Sequence, residues 1–271
     1  MKKISILPLL TATVFSILFA GCASSGRTGS SPFDWETGMV SAYEVVQNQS
    51  QTLEIPGQGN QVNDSGATMN VSVDAVAPYT FKVTITSAEA TGSPLSVDPI
   101  IGLESEVVVS PTGAIMSASG LEDNAYIDGM GGADVFKESL QELFQRLPDE
   151  PLAPGVEWST SSTMPIARQG MELTREVTET YRVEESTTFE GRDAFLVQVD
   201  GDVSMTGTGN QGGQEFDFSA QGTMSGSSYI EAGTGRILSL ERTGKLAGII
   251  ALTQADLPIT LDLTTSVKLV E

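Results

Sequence analysis

From Val40 onward, apolar residues alternate with polar ones over long stretches, which is the period of a β-strand rather than of a helix. Tyr79, Phe81, Val83 and Ile85 share one face, and Thr80, Lys82, Thr84 and Thr86 share the other. Met171, Leu173, Val177, Tyr181 and Val183 oppose Glu172, Thr174, Glu176, Thr178 and Arg182. Phe216, Phe218, Ala220, Met224 and Ile230 oppose Asp217, Ser219, Gln221, Thr223 and Ser225, and Ile259, Leu261, Leu263, Val267 and Leu269 oppose Thr260, Asp262 and Thr264. One dry face and one wet face per strand is how an antiparallel sheet reads. Turn chemistry punctuates the runs at Pro56 to Asn60, Ala77-Pro78, Pro111-Thr112-Gly113, Gly207 to Gly213 and Gly233-Thr234-Gly235, with a loop over Thr91 to Gly102. The pattern predicts roughly eleven strands.

One stretch keeps a different period. Phe136, Leu140, Leu143, Phe144 and Leu147 follow the spacing of a single helical stripe, so a helix is predicted over Asp134 to Leu147, with Asp134 as N-cap and Pro148 as its stop. Fourteen residues make a helix of roughly 21 Å, whereas eleven strands spread over about 48 Å. Such a helix cannot cover such a sheet. The expected fold is mainly β, a large curled antiparallel half-barrel wrapped on one amphipathic helix. If the oily wall exceeds the helix stripe, hydrophobic room is left over for a ligand. The five stripe residues are therefore candidates either for a hydrophobic ligand site or for sealing the core.

Composition narrows the chemistry. The 271-residue chain has no histidine and one cysteine, which removes imidazole metal sites, serine-histidine and cysteine-histidine nucleophiles, and structural disulfides. No cofactor or metal is called for, and no enzyme is expected. Asp200-Gly201-Asp202, and Glu122-Asp123 with Asp128, bring carboxylates together, but neither group has calcium-loop spacing. The net charge of −21 repels phosphate backbones and anionic headgroups, so nucleic acid is not an expected partner. Met39, Met69, Met116, Met130, Met164, Met171, Met205 and Met224 read first as adaptable core fillers.

The amino terminus has the three parts of an export signal: Lys2-Lys3, an apolar run from Ile4 to Ala20, and small residues before Cys22. Leu18-Phe19-Ala20-Gly21-Cys22 resembles the lipobox of bacterial lipoproteins. The resemblance implies cleavage after Gly21 and acylation of Cys22, with two or three chains giving stable membrane attachment. Cleavage would remove Lys2 and Lys3 but no acid, taking the net charge from −21 to −23. Ala23 stands where inner-membrane lipoproteins of this kind often carry aspartate, so the expected address is the cell envelope, on the outer membrane facing the periplasm. The organisation is then a signal peptide over 1–21, a lipidated cysteine and tether over 22–34, and a single β-rich domain over 35–271. The tether composition gives a random-coil reach of about 20 Å.

Strands, a central amphipathic helix and further strands behind a lipidated export signal resemble the Lol-type and mycobacterial lipoprotein lipid-carrier folds. That resemblance implies a lipid or other apolar ligand held between a curled sheet and its helix. The run from Leu147 to Trp158, with Pro154-Gly155-Val156-Glu157-Trp158, also resembles bacterial lipoproteins in which a helix leads through Pro-Gly-x-x-Trp into a strand. The alternative is a non-catalytic structural or protein-interaction lipoprotein whose protein partner the sequence does not name. Val108 to Ser117 echoes Ile230 to Ser239, both predicted hairpins with Thr-Gly at the tip. Duplicated half-sheets and recurrent hairpin chemistry are both consistent with that echo.

Overall fold

The computed structural model describes residues 33–270 apart from 93–96, 122, 123, 125, 126, 128–132, 169, 212, 213 and 254. Eleven strands follow one another: β1 (Val40–Ile55), β2 (Gly59–Ala77), β3 (Thr80–Thr91), β4 (Glu104–Val109), β5 (Ile115–Ser119), β6 (Glu157–Arg168), β7 (Met171–Phe189), β8 (Arg192–Gln211), β9 (Gln214–Glu231), β10 (Ile237–Leu252) and β11 (Ala255–Val270). They form one sheet in the order β5-β4-β3-β2-β1-β11-β10-β9-β8-β7-β6. Every neighbouring pair is antiparallel. Two meanders are thus stitched by their outermost chain segments, with Val45 opposite Val267 and Leu53 opposite Ile259. The edges β5 and β6 do not pair, so the sheet is half-barrel-like and not closed. Edge strand β6 carries Pro165, which removes one donor from the exposed ladder.

The alternation of the sequence is realised in burial. Along β11, Leu257, Ile259, Leu261, Leu263, Thr265, Val267 and Leu269 are buried while the residues between them are not. Each such aliphatic side chain contributes about 1.5–3 kcal/mol when fully removed from water. The inner face carries two separate apolar clusters. One gathers Tyr43, Val73, Phe81, Val107, Val183, Val197, Ile230, Leu240 and Val267 with residues outside the sheet, including Phe33, Trp35, Leu121 and Phe144. The other comprises Leu53, Met164, Ile166, Leu173, Val177, Val203, Met205, Ala220, Met224, Leu246, Ile250 and the first half of β11. All its members are strand residues, so no described segment outside the sheet covers that end.

The helix differs from its expected form. Helix α1 spans only Ala133–Leu140, and one 3-10 turn, Gln141–Leu143, follows it. Asp134 lies inside the helix rather than before it. The chain leaves helical geometry at Phe144, whose φ of −129° and ψ of 80° end the turn. The cause is tertiary: Leu147 N donates to the Thr112 carbonyl (2.9 Å), which draws residues 144–147 out along the β4–β5 hairpin. The sheet is therefore not wrapped on a 14-residue amphipathic helix. Among its described residues, the strap that connects edge β5 to edge β6 includes helix α1, the 3-10 turn and an irregular run over residues 144–156.

The predicted turn at Gly207 to Gly213 is also corrected. Gly207 and Gly209 lie within β8, paired with Leu173 and Met171 of β7. A Cβ on Gly207 would stand 2.0 Å from the Glu172 carbonyl oxygen, so the glycine serves close strand approach rather than a turn.

Candidate functional site

The two apolar clusters are separated by a layer of buried charge. Strand β7 points residues 173, 175, 177, 179, 181 and 183 inward, and two of these are Arg175 and Glu179, 1% and 2% exposed. Strand β10 contributes Arg242 at 6%. Arg242 Nη1 donates to Glu179 Oε1 at 3.1 Å, and Nη2 donates to the Tyr181 hydroxyl at 3.3 Å. The Tyr181 hydroxyl in turn donates to Glu179 Oε2 (2.8 Å), which also accepts from Thr160 (3.2 Å). The strap reaches this group through Glu142, whose carboxylate lies 3.8 Å from Arg242 Nη1. Trp158 stacks on Tyr181 with ring centroids 5.1 Å apart and an interplanar angle of 6°, and its Nε1 donates to the Arg146 carbonyl of the strap.

Electrostatics follow from burial and neighbours. Removal from water lowers the proton affinity of the Arg242 guanidinium, but facing Tyr181, Glu142 and Glu179 outweigh it and hold the group firmly charged. Burial drives Tyr181 far above the usual phenol range, and the adjacent Glu179 carboxylate pushes it the same way. Arg242 faces two carboxylates, Glu142 of the strap and Glu179 of β7, an arrangement that ties the strap to the sheet. The sequence signal for this layer was the gap in the β7 alternation: the apolar positions at 173, 177, 181 and 183 skip 175 and 179. Two charged residues on an otherwise dry face are a signal that the helical stripe does not carry.

The five stripe residues all lie in the core: Phe136 is 4% exposed, Leu140 5%, Leu143 2%, Phe144 0% and Leu147 4%. Phe144 joins Phe33, Trp35 and Phe81 in one aromatic group with centroid separations of 5.0 to 6.2 Å. Gln141 secures the strap from the other side, its amide bonded to Gly113 O and Phe144 O and its Oε1 accepting from Ile115 N. The strapped end is thus filled by the chain itself. Cys22 and the adjoining Leu18, Phe19, Ala20 and Gly21 lie outside the described residues.

The same end holds the amino-terminal segment. Asp34 N donates to Thr234 O at the β9–β10 tip. Glu231 organises that tip, accepting from Arg192 (3.1 Å), from two nitrogens of Arg236 (both 3.0 Å) and from Thr234 (2.6 Å). Partial burial opposes its ionisation, but these hydrogen bonds and the Arg236 charge prevail and hold the Glu231 carboxyl below the usual carboxylate range. Both hairpins singled out by the internal echo form, with Ser110 and Glu231 accepting hydrogen bonds within their respective tips.

The opposite end is built differently. Leu252 pairs with Phe216, Phe216 with Gly209, and Gly209 with Met171, giving a row across β10, β9, β8 and β7. Met171, Phe216, Phe218 and Leu252, with Ile55 and Ala255, are only partly buried against the second cluster. A Cβ on Gly209 would lie 2.3 Å from the Phe216 ring, so that ring lies over the glycine. A cavity of about 910 Å³ adjoins the row, lined by exposed Glu172, Glu215 and Asp217 beside Met171, Phe216 and Leu252. A second, of about 620 Å³, is lined largely by polar residues of β1, β2 and β11, among them Asn48, Asp64 and Asp262.

The remaining sequence candidates scatter. Asp200 is exposed on β8 and Asp202 likewise, on the face opposite the inward Gly201. Glu122, Asp123, Asp128 and Met130 lie outside the described residues. Met164, Met205 and Met224 are core, whereas Met116 is 60% exposed. Among the described residues, no group of three or more acidic or thiol side chains is placed to hold a metal, and no helix is long and apolar enough to cross a membrane.

No family model and no curated protein matches this chain. Among solved structures, the crystal structure of Pseudomonas aeruginosa OccK9 (OpdG) is similar at 9% identity and a TM-score of 0.22, over 85% of this chain and 98% of that one. Neither fold nor function transfers at that level.

Proposed function

We propose that this chain is a lipid-anchored, non-catalytic protein of the bacterial envelope, cut before Cys22 and acylated there, which holds an apolar or amphipathic ligand at the open end of its half-barrel. The support is one juxtaposition: the half-buried row Met171, Phe216 and Leu252 borders a cavity of about 910 Å³ at the end that no described segment outside the sheet covers. That volume falls within the range of about 300–1,000 Å³ typical of small-molecule sites. The stripe Phe136, Leu140, Leu143, Phe144 and Leu147 does not contribute, because it is consumed in sealing the other end.

The test uses the soluble domain lacking Cys22. N-phenylnaphthylamine fluorescence should rise on mixing, and native mass spectrometry should show a bound monoacylglycerol. Phe216→Glu should abolish both while leaving the circular dichroism spectrum unchanged. A folded wild-type domain that takes up neither probe overturns ligand binding. Metabolic labelling with palmitate, lost in Cys22→Ser, tests the anchor separately.

A second reading, a structural or interaction lipoprotein on the outer membrane, draws on the self-filled strapped end, where buried charge and four packed aromatics give a rigid body. Cross-linking in cells would then capture one specific protein partner at high occupancy.

A further inference from the structure

The cavity of about 910 Å³ at the open end carries charge of one sign. Glu172 of β7 and Glu215 and Asp217 of β9 line it, all three exposed, and none of its described lining residues is lysine or arginine. Counting Arg168, the last residue of β6, against these three acids still leaves a formal charge of −2. No ion pair joins any of the three to another described residue, whereas Glu179, Glu231 and Asp262 each face a base. A recess lined by one sign of charge concentrates ions of the other sign.

The ladder fixes how these acids are spread. Glu172 pairs with Thr208 and Thr208 with Asp217, so the two acids share one face two strand spacings, about 10 Å, apart. Glu215 stands on that face two residues before Asp217, about 7 Å along the strand. The three charges surround a space larger than a bare ion, and no group of three acids that could hold a metal is found among the described residues. Met171, Phe216 and Leu252 line the same cavity and are only partly buried. A small hydrated cation gains nothing from that row, and an anionic amphiphile is repelled by its border.

Resting on the ligand-binding reading above, we infer that the ligand of the open end is an organic cation, an ammonium or guanidinium group carried on an apolar body. The positive group lies among Glu172, Glu215 and Asp217, and the body lies against Met171, Phe216 and Leu252. Because these carboxylates are exposed, their attraction is modest individually and is screened by salt.

The experiment is calorimetric titration of the full chain in phosphatidylcholine nanodiscs, with empty nanodiscs subtracted. Three probes share one body: phenylbutylammonium, phenylbutanol and phenylbutyrate. At low ionic strength the ammonium should bind about tenfold more tightly than the alcohol, the joint effect of three exposed charge contacts. Phenylbutyrate should bind more weakly than the alcohol. Salt at about 1 M, where the screening length is about 3 Å, should remove most of the ammonium's advantage. In the triple variant Glu172→Gln, Glu215→Gln, Asp217→Asn, the ammonium and the alcohol should bind alike, with the alcohol's own affinity unchanged as the control for folding. Methylammonium, which has the charge without the body, should bind at least tenfold more weakly than phenylbutylammonium. Equal binding of ammonium and alcohol by the native chain, an ammonium preference that survives in the triple variant, or methylammonium binding as tightly as phenylbutylammonium each overturns the inference. If no probe binds, the alcohol included, the ligand site falls and the inference with it. Binding of the alcohol therefore separates failure of the cation from failure of the site.

Discussion

Arg242 and Glu179 meet at 3.1 Å although β10 and β7 are three strand steps apart. In a flat sheet those strands would lie about 14 Å from each other. Two features close the gap. The sheet curls, and glycines stand beside both partners: Gly201 of β8 is the cross-strand partner of Glu179, and Gly226 of β9 is the partner of Arg242. At Gly226 the Arg242 side chain takes the space a Cβ would fill, its Cγ 2.8 Å from that position, while the Met224 side chain lies over Gly201.

Removing one member of this pair strands a buried charge. Arg242→Met should lower unfolding free energy by about 3–5 kcal/mol, read as a shift of the urea midpoint. Glu179→Gln combined with Arg242→Met should lose less than the two single changes together, with a coupling of about 1–3 kcal/mol. Strict additivity would mean the contact does not hold the sheet.

Gly226→Ala should be destabilising despite adding one methyl group. Its Cβ would lie 2.2 Å from the Glu241 carbonyl oxygen and 2.8 Å from Arg242 Cγ, so β9 and β10 must separate. Overpacking of this kind costs about 1–3 kcal/mol, and thermal melts of the two forms compare it directly. Gly233→Ala, where nothing lies within 4 Å but φ is +91°, controls for backbone strain alone.

Phe144→Ala should cost about 3–5 kcal/mol, as for other fully buried aromatics. Its neighbours Phe33 and Trp35 belong to the incoming amino-terminal segment. Limited proteolysis should accordingly cut near residue 33 faster in the variant. An unchanged cleavage rate would show that Phe81 and the backbone bonds hold the segment without Phe144.

Acid should loosen the β9–β10 tip. The Glu231 carboxyl is held below its ordinary pKa of 4.5, so its contribution to stability is present above that value and disappears as the pH falls through the lowered folded value. The melting temperature of Glu231→Gln should therefore lie below wild type at neutral pH, and the two should converge as the pH falls through the lowered folded value. Persistence of the gap at low pH would count against the carboxylate as its source.

Alkaline titration should leave Tyr43 and Tyr181 silent. Burial raises Tyr43 and Tyr181 far above the usual phenol range, so the folded state keeps both protons. Stability from the neutral phenols is complete below about pH 10, the unfolded value, and declines above it. Their ultraviolet signal should appear only together with unfolding.

The strand pattern was legible because each residue's choice of face is local. With a period of two, Leu257 to Leu269 declare their inward side without reference to anything else. The same locality explains the stripe at Phe136 to Leu147: those residues are buried, as an apolar series must be. Its helical form was another matter. Beyond Leu140 the chain follows a bond from Leu147 to Thr112, a partner 35 residues away that no helical period can announce.

What the amino-acid order determined by itself was the class: strands of a half-barrel, a net charge of −21, and a chain without histidine chemistry. Tertiary structure alone decided which charges belong together, that Gly207 and Gly226 serve close approach, and that the chain fills one end while no described segment outside the sheet covers the other. The reason is distance along the chain. Facing and composition are written residue by residue, whereas Arg242 finds Glu179, and the strap finds its groove, only after the sheet between them has curled.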